Sequence, residues 1–320
     1  MKQKGKKPDK SNKILTLAKP TYLIEEEFIL KNYGSIYYYP PEKMKNGLQE
    51  LIIFAENATK HGIPNGSLWV YDAKSRYFPE ILMDDIGCGV TSFIISAMEY
   101  SDAVIMDILK VVDEIHVDIG HGNHFIDFTT EHPKAEKSPI RTNMLFLHTD
   151  FNKDKTVPKD HFEAMQMEKQ ASERRIDYLD RVVRLLGIKG DVYKDWVHNS
   201  LSWKDDRWIY RKGCIDLDRT ENEGILLLNP FEGIYLYVGT FEAFYSSAQH
   251  ATGRKNEGKI DRTENETLKY GMARGMPVPN RVPSNLHLEF NDVNIFQNAF
   301  RHESLCTGCC IPYLVVTTRS

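Results

Sequence analysis

Six short polar clusters punctuate this chain, each set against an apolar stretch: Asp85-Ile86-Gly87-Cys88-Gly89, Gly122-Asn123-His124-Phe125, His148, His198-Asn199, Arg211-Lys212-Gly213 and His250-Ala251-Thr252-Gly253-Arg254. A polar group beside a strand-like or helical apolar run is held at the edge of a packed element. A fold for this chain must therefore bring several element ends together. Residues 81–83 read as a buried strand arriving at the Asp85 turn, and 144–147 as an apolar run ending at His148. Residues 103–115 have helical spacing, with Ile105, Ile108, Leu109 and Val112 in phase. The clearest helix spans 159–187, with Phe162, Met165, Ile176, Leu179, Val183 and Leu186 on one face. Further helices are expected over 42–61, over 191–203 with His198 facing inward, and near 292–302. Strands are expected at 208–210, 225–228, 234–238 and 313–317. Helices and strands mix without a regular βαβ alternation and without an internal repeat, which predicts an α+β architecture.

The chain has 320 residues, enough to bury a sizeable core in one large domain or two smaller ones. Residues 1–13 hold six lysines and almost nothing apolar, and read as a flexible basic arm or a plain solvated tail. A single domain is expected over 14–320. The net charge of −4 advertises no overall attraction for nucleic acid, although a local basic groove is compatible with an acidic total. Five cysteines, an odd number, point to a reducing compartment. The longest apolar runs fall short of a bilayer span, so a soluble cytoplasmic protein is expected.

The clusters supply one thiol, one carboxylate and four imidazoles, from Cys88, Asp85, His124, His148, His198 and His250. In 83–90 the two glycines permit a tight turn that sends Asp85 and Cys88 to one side. A thiolate there can bridge two divalent cations while the carboxylate binds one of them. By itself the Asp-x-x-Cys spacing also fits a structural cysteine beside a turn aspartate. At 122–127 an amide and an imidazole precede an apolar strand, and either His121 or His124 could be the ligand. His148 and His198, taken singly, also fit hydrogen-bonded boundary residues. The 244–254 segment sets His250 among small residues, with Gly253 permitting close backbone approach and Arg254 able to clamp a phosphate. A neutral imidazole there could attack the α-phosphorus of a triphosphate, and the same segment also fits a helix-opening loop.

In order and wording these clusters resemble the RtcB family of RNA ligases from about residue 80 to the C-terminus, Asn291-Asp292-Val293 included. The resemblance implies an RtcB-like fold, with mixed and antiparallel β-sheets packed with helices around a central metal site. It also implies a GTP- and Mn²⁺-dependent ligase that joins RNA 3′-phosphate or 2′,3′-cyclic phosphate ends to 5′-hydroxyl ends, in RNA repair or tRNA splicing. Carried over residue by residue, Cys88 bridges two manganese ions, Asp85 and His124 complete one shell, and His148 with His198 the other. His250 is then the guanylated nucleophile. Asn123 contacts the α-phosphate, Asp127 takes the place of the guanine-binding carboxylate, and Gly253, Arg254 and Phe290 belong to the nucleotide pocket. Arg211 and Lys212 line the RNA route. The expected partners are GTP and the RNA ends, with no membrane and a monomeric state. The chain departs from the family at Asn229-Pro230-Phe231-Glu232-Gly233, where the family has a compact phosphate loop, and at Thr317-Thr318-Arg319-Ser320, where its terminal lysine is missing. A metal-dependent phosphoesterase acting on RNA ends is the second expectation, and a catalytically impaired relative that binds RNA ends the third.

Overall fold

The computed structural model of the protein describes residues 40–54, 59–60, 62–99, 101–115, 124–131, 143–152, 154–227, 234–239, 241–251, 270–273, 276–277 and 304–316. Along the chain lie β1 (Leu48–Ile53), β2 (Thr59–Lys60), β3 (Ile63–Pro64), β4 (Ser67–Asp72), α1 (Pro79–Leu82), β5 (Gly89–Ile95), α2 (Asp102–Ile115), β6 (Phe125–Glu131) and β7 (Asn143–Thr149). Next come α3 (His161–Leu185), β8 (Gly190–Val197), β9 (Asn199–Lys204), β10 (Arg207–Lys212), β11 (Cys214–Asp216) and β12 (Glu223–Leu227). The remainder holds β13 (Ile234–Gly239), β14 (Ser247–Gln249), β15 (Tyr270–Ala273), β16 (Met276–Pro277) and β17 (Ser304–Val316). The basic arm and the helix expected near 292–302 lie outside the described residues.

The larger sheet runs β12-β13-β17-β6-β7-β5-β8, with β15 pairing β17 and β16 pairing β15; a smaller sheet runs β1-β4-β10-β9. Paired strands are antiparallel in both. The architecture is α+β, with mostly antiparallel sheets and few helices. Among the described residues no helix is long and apolar enough to cross a membrane.

Strand alternation divides the core. In β7, Leu145 and Leu147 face α2 and α3, where they meet Phe93, Phe128, Ile108, Leu179 and Val182. Met144 and Phe146 face the opposite side, with Val90, Trp196, Ile225 and Leu236. His148 continues that second row, so the strand's own period aims its imidazole away from the helices. The smaller sheet packs Trp69, Tyr71 and Tyr210 against α1 and Ala164 of α3.

Three expected elements differ from those observed. The described residues of 42–61 form a 3-10 turn at Glu42–Met44, then β1 and β2, in place of a helix. Gly47 adopts φ +76°, a left-handed conformation that interrupts a helical path. Leu51 and Ile52 then face separate cores, which makes the apolar run continuous and disguises its period. Residues 81–83 end a helix and enter a 3-10 turn, since Pro79 occupies the first helical position and presets φ there. Residues 191–203 form β8 and β9, because pairing with β5 places Asp195 on the helix side and Trp196 in the opposite core. The long helix is present as α3, with Asp160 capping its start by accepting from the Glu163 amide. Leu179 and Val183 are buried as expected, with Ile176 and Leu186 packed against that core, but the first turns differ: Phe162 is 69% exposed and Met165 42%. The final strand, expected at 313–317, reaches from Ser304 to Val316.

Leu179→Ala should cost 2–5 kcal/mol, a loss typical of a leucine truncated in a closed core, whereas Phe162→Ala should stay within about 0.5 kcal/mol. Urea denaturation of both variants checks the helix register.

Candidate metal centre

The site collects residues from strand ends. Cys88 immediately precedes β5, His124 precedes β6, His148 is the penultimate residue of β7, His198 joins β8 to β9, and His250 follows β14. Register aligns them, for Val90 opposes His148 across β5 and β7, and Phe125 opposes it across β6 and β7. Backbone hydrogen bonds knit the cysteine turn to the β8–β9 junction. The Gly87 amide donates to the Asn199 carbonyl at 2.8 Å, and the His198 amide to the Cys88 carbonyl at 2.9 Å. Gly87 takes φ +79°, and a Cβ there would sit 2.8 Å from the Ala171 methyl, so the turn needs glycine both for its path and for its contact with α3.

All five side chains are buried. His124 Nε2 lies 3.5 Å from Cys88 Sγ, and His148 Nε2 lies 3.4 Å from it on another side. His148 Nε2 and His198 Nε2 are 3.3 Å apart. Among the described residues, the donor atoms of Cys88, His148 and His198 all fall within 4.8 Å of one another. Two imidazole nitrogens so close must share either a proton or a cation. A tetrahedral shell with metal–nitrogen distances of about 2.05 Å and a metal–sulfur distance of about 2.3 Å has edges of about 3.3 Å between nitrogens and about 3.6 Å from nitrogen to sulfur. The observed spacings match those edges, and the donors are soft ones that suit a transition metal. His198 Nδ1 is buried with no hydrogen-bond partner among the described residues.

Electrostatics agree with that donor set. Burial pushes the Cys88 thiol well above its usual range, and the carboxylates of Asp150 and Asp85 push it further. His198 is driven well below the usual imidazole range by burial and by the neighbouring His250 and His148. Burial likewise pulls His250 down to about 4. His198 and His250 therefore keep neutral rings with lone pairs at neutral pH. The His250 ring stacks on that of His198 with centroids 3.8 Å apart and planes at 18°. Its Nδ1 lies 2.7 Å from the Gly213 carbonyl. A carbonyl can only accept, so Nδ1 carries the proton and Nε2 the lone pair.

The other sequence candidates fall in different places. Asp85 is buried with Oδ2 2.7 Å from Lys212 Nζ, so this carboxylate is engaged by an ammonium. Lys212 and Arg211, expected to line the RNA route, are both buried and present no charge to solvent. Arg211 is fully enclosed, paired with Asp216 at 3.0 Å and donating to Ser247, Ser202 and the Tyr245 carbonyl. The reason is alternation: with Tyr210 in the small-sheet core, Arg211 must face the β11–β14 layer. Asp127 is buried on β6, with one carboxyl oxygen lacking a partner among the described residues, and burial raises it well above the usual carboxylate range. Asn123, Gly253, Arg254 and Phe290 lie outside the described residues. Sequence reasoning passed over Asp150, Asp195 and Arg175. Arg175 had a legible signal, a charge in phase with Ala171, Tyr178, Leu179 and Val182 on a buried helical stripe.

Fold and site together define an α+β protein with a buried cysteine–histidine cluster able to bind a metal ion. No protein-family model matches the chain, and no curated protein matches it.

Because Cys88 is held as a thiol at neutral pH and His198 is neutral, loading a divalent metal should release about one proton per bound ion and tighten as pH rises. Titration in weak buffer with a pH indicator reads the release. Cys88→Ser should abolish it and remove more metal than His148→Ala or His198→Ala, whereas a proton count unchanged in Cys88→Ser would count against the cysteine as a ligand. Arg211→Met should lower stability by about 3 kcal/mol, since it breaks a buried pair, and should leave the salt dependence of RNA binding unaltered. Thermal melts and binding at two salt concentrations check both halves.

Proposed function

We propose that the chain is a metal-dependent RNA ligase of the RtcB type, joining RNA 3′-phosphate or 2′,3′-cyclic phosphate ends to 5′-hydroxyl ends through a His250–guanylate. The observation that carries this proposal is the neutral His250 imidazole stacked on His198, with Nδ1 tied to the Gly213 carbonyl and the lone pair on Nε2. A nucleophile needs a lone pair, a fixed orientation and a nearby centre of positive charge. Here the backbone supplies the orientation and the ligand cluster a place for the charge.

In the first step His250 Nε2 attacks the α-phosphorus of GTP; a nitrogen–phosphorus bond forms as the bond to pyrophosphate breaks. Cys88, His148 and His198 would hold manganese, with His124 also beside the Cys88 sulfur. Bound manganese supplies Lewis-acid stabilisation of the charge growing on phosphoryl oxygens. The low pKa of His250 keeps it unprotonated, and burial of the cluster excludes water that would compete for the phosphoryl group. The thiol chemistry suits the reducing cytoplasm. Asp127 stands where a guanine-reading carboxylate is expected. Guanine's pairing edge offers N–H donors, which an ionised carboxylate accepts and a protonated carboxyl meets less well. Burial raises the Asp127 carboxyl above the usual carboxylate range, which disfavours the ionised form and so weakens discrimination between guanine and adenine.

Mass spectrometry of protein incubated with Mn²⁺ and either GTP or ATP is the test. An acid-labile adduct mapping to His250 and lost in His250→Ala is the expected result, with GTP favoured over ATP by less than tenfold, under about 1.4 kcal/mol. No adduct with either nucleotide, together with hydrolysis of a 2′,3′-cyclic phosphate end, would replace the ligase with a metal-dependent phosphoesterase.

A further inference from the structure

Arg175 is the buried arginine of α3, with no accessible surface. Enclosing a guanidinium is costly unless its charge and all its N–H groups are met. Here they are. Nε donates to Thr91 Oγ1 and Asp195 Oδ1, each at 3.0 Å. Nη2 donates to Asp195 Oδ2 at 3.0 Å and Ser172 Oγ at 3.1 Å. Nη1 donates to two backbone carbonyls, Gly87 at 2.6 Å and Thr149 at 2.9 Å. The Asp195 carboxylate thus balances the charge through a two-point fork, while Thr91 also donates to Asp195.

The identity of these partners matters. The Gly87 carbonyl directly precedes Cys88, the Thr149 carbonyl directly follows His148, and Asp195 lies three residues before His198. One planar cation touches all three segments that bear the clustered donors. Space has been left for it as well, since a Cβ on Gly89 would lie 2.8 Å from Arg175 Nη2.

We propose that Arg175 is a positioning residue for the metal centre: it locks the Cys88, His148 and His198 segments at the spacing that makes their donor atoms converge on one ion. This inference rests on the metal-binding reading of the cluster. The geometry demands arginine in particular. A lysine ammonium brings the same charge but cannot span two carbonyls and a bidentate carboxylate from one plane.

Cobalt(II) is the probe, because its thiolate charge-transfer and ligand-field bands report ligand geometry independently of any turnover. Wild-type protein should show a thiolate band that Cys88→Ser removes. Arg175→Lys should remain folded by circular dichroism, yet bind cobalt roughly 10- to 100-fold more weakly, as outer-sphere changes do, with altered ligand-field bands. The double variant Arg175→Met/Asp195→Leu removes the buried pair as a unit and should show the same defect. Leu179→Ala, which weakens the same helix away from the ligand segments, should leave affinity and bands as in the wild type. Wild-type affinity and spectrum in Arg175→Lys or in the double variant would overturn the positioning role, and so would failure of both to fold. A wild-type protein with no Cys88-dependent band would instead overturn the metal reading and the inference with it.

Discussion

The arrangement of the centre depends on how closely helix α3 approaches the Gly87-Cys88-Gly89 backbone. At Gly87 the Ala171 methyl occupies the space a side chain would need, and at Gly89 the Arg175 guanidinium does so. With both neighbours of Cys88 lacking a Cβ, the helix lies directly on the turn. The turn in turn hydrogen-bonds to the junction between β8 and β9. Interiors are packed too densely for such an approach to adjust gradually. A larger residue at either position would separate the helix from the turn, and the alignment of Cys88 with His198 would go with it.

Charge is handled in two ways around this point. Arg175 with Asp195, Arg211 with Asp216, and Lys212 with Asp85 bring opposite charges together inside the protein. Burial alone would raise the Asp195 carboxyl, yet the guanidinium beside it brings it below the usual carboxylate range. The cysteine–histidine cluster is built differently, from a thiol pushed up and imidazoles pushed down, so it carries lone pairs and little charge of its own. A group of neutral donors in a buried, rigid frame is suited to a cation that brings its own charge and displaces one proton from sulfur.

Placing His250 against His198 gives the centre a second capacity. The two rings lie nearly parallel. One ring directs Nε2 toward His148, and the other is oriented through Nδ1 by a backbone carbonyl. Under the proposed function, metal ligation and nucleophilic attack would be divided between adjacent imidazoles. The division comes from position in the fold: His198 sits on the chain's passage from the large sheet to the small one, and His250 at the end of the short β14 strand.

The sequence by itself determined the α+β class, the long helix over most of its length, the strands at 208–210 and 234–238, and the polar clusters beside apolar runs. These are local properties, set by periodicity and turn chemistry over a few residues. It did not settle 42–61 or 191–203, where apolar residues serving two cores on opposite faces of a strand imitate helical spacing. It was equally unable to find the buried carboxylates that Arg211 and Lys212 meet on opposite faces of β10, Asp216 and Asp85. Only the tertiary structure decided that Cys88, His148 and His198 converge, because each lies in or beside a different strand and their separation depends on antiparallel register. Only it revealed what Arg175 holds, since the worth of a buried arginine lies in the carbonyls and carboxylate around it, and those come from chain segments far apart in sequence.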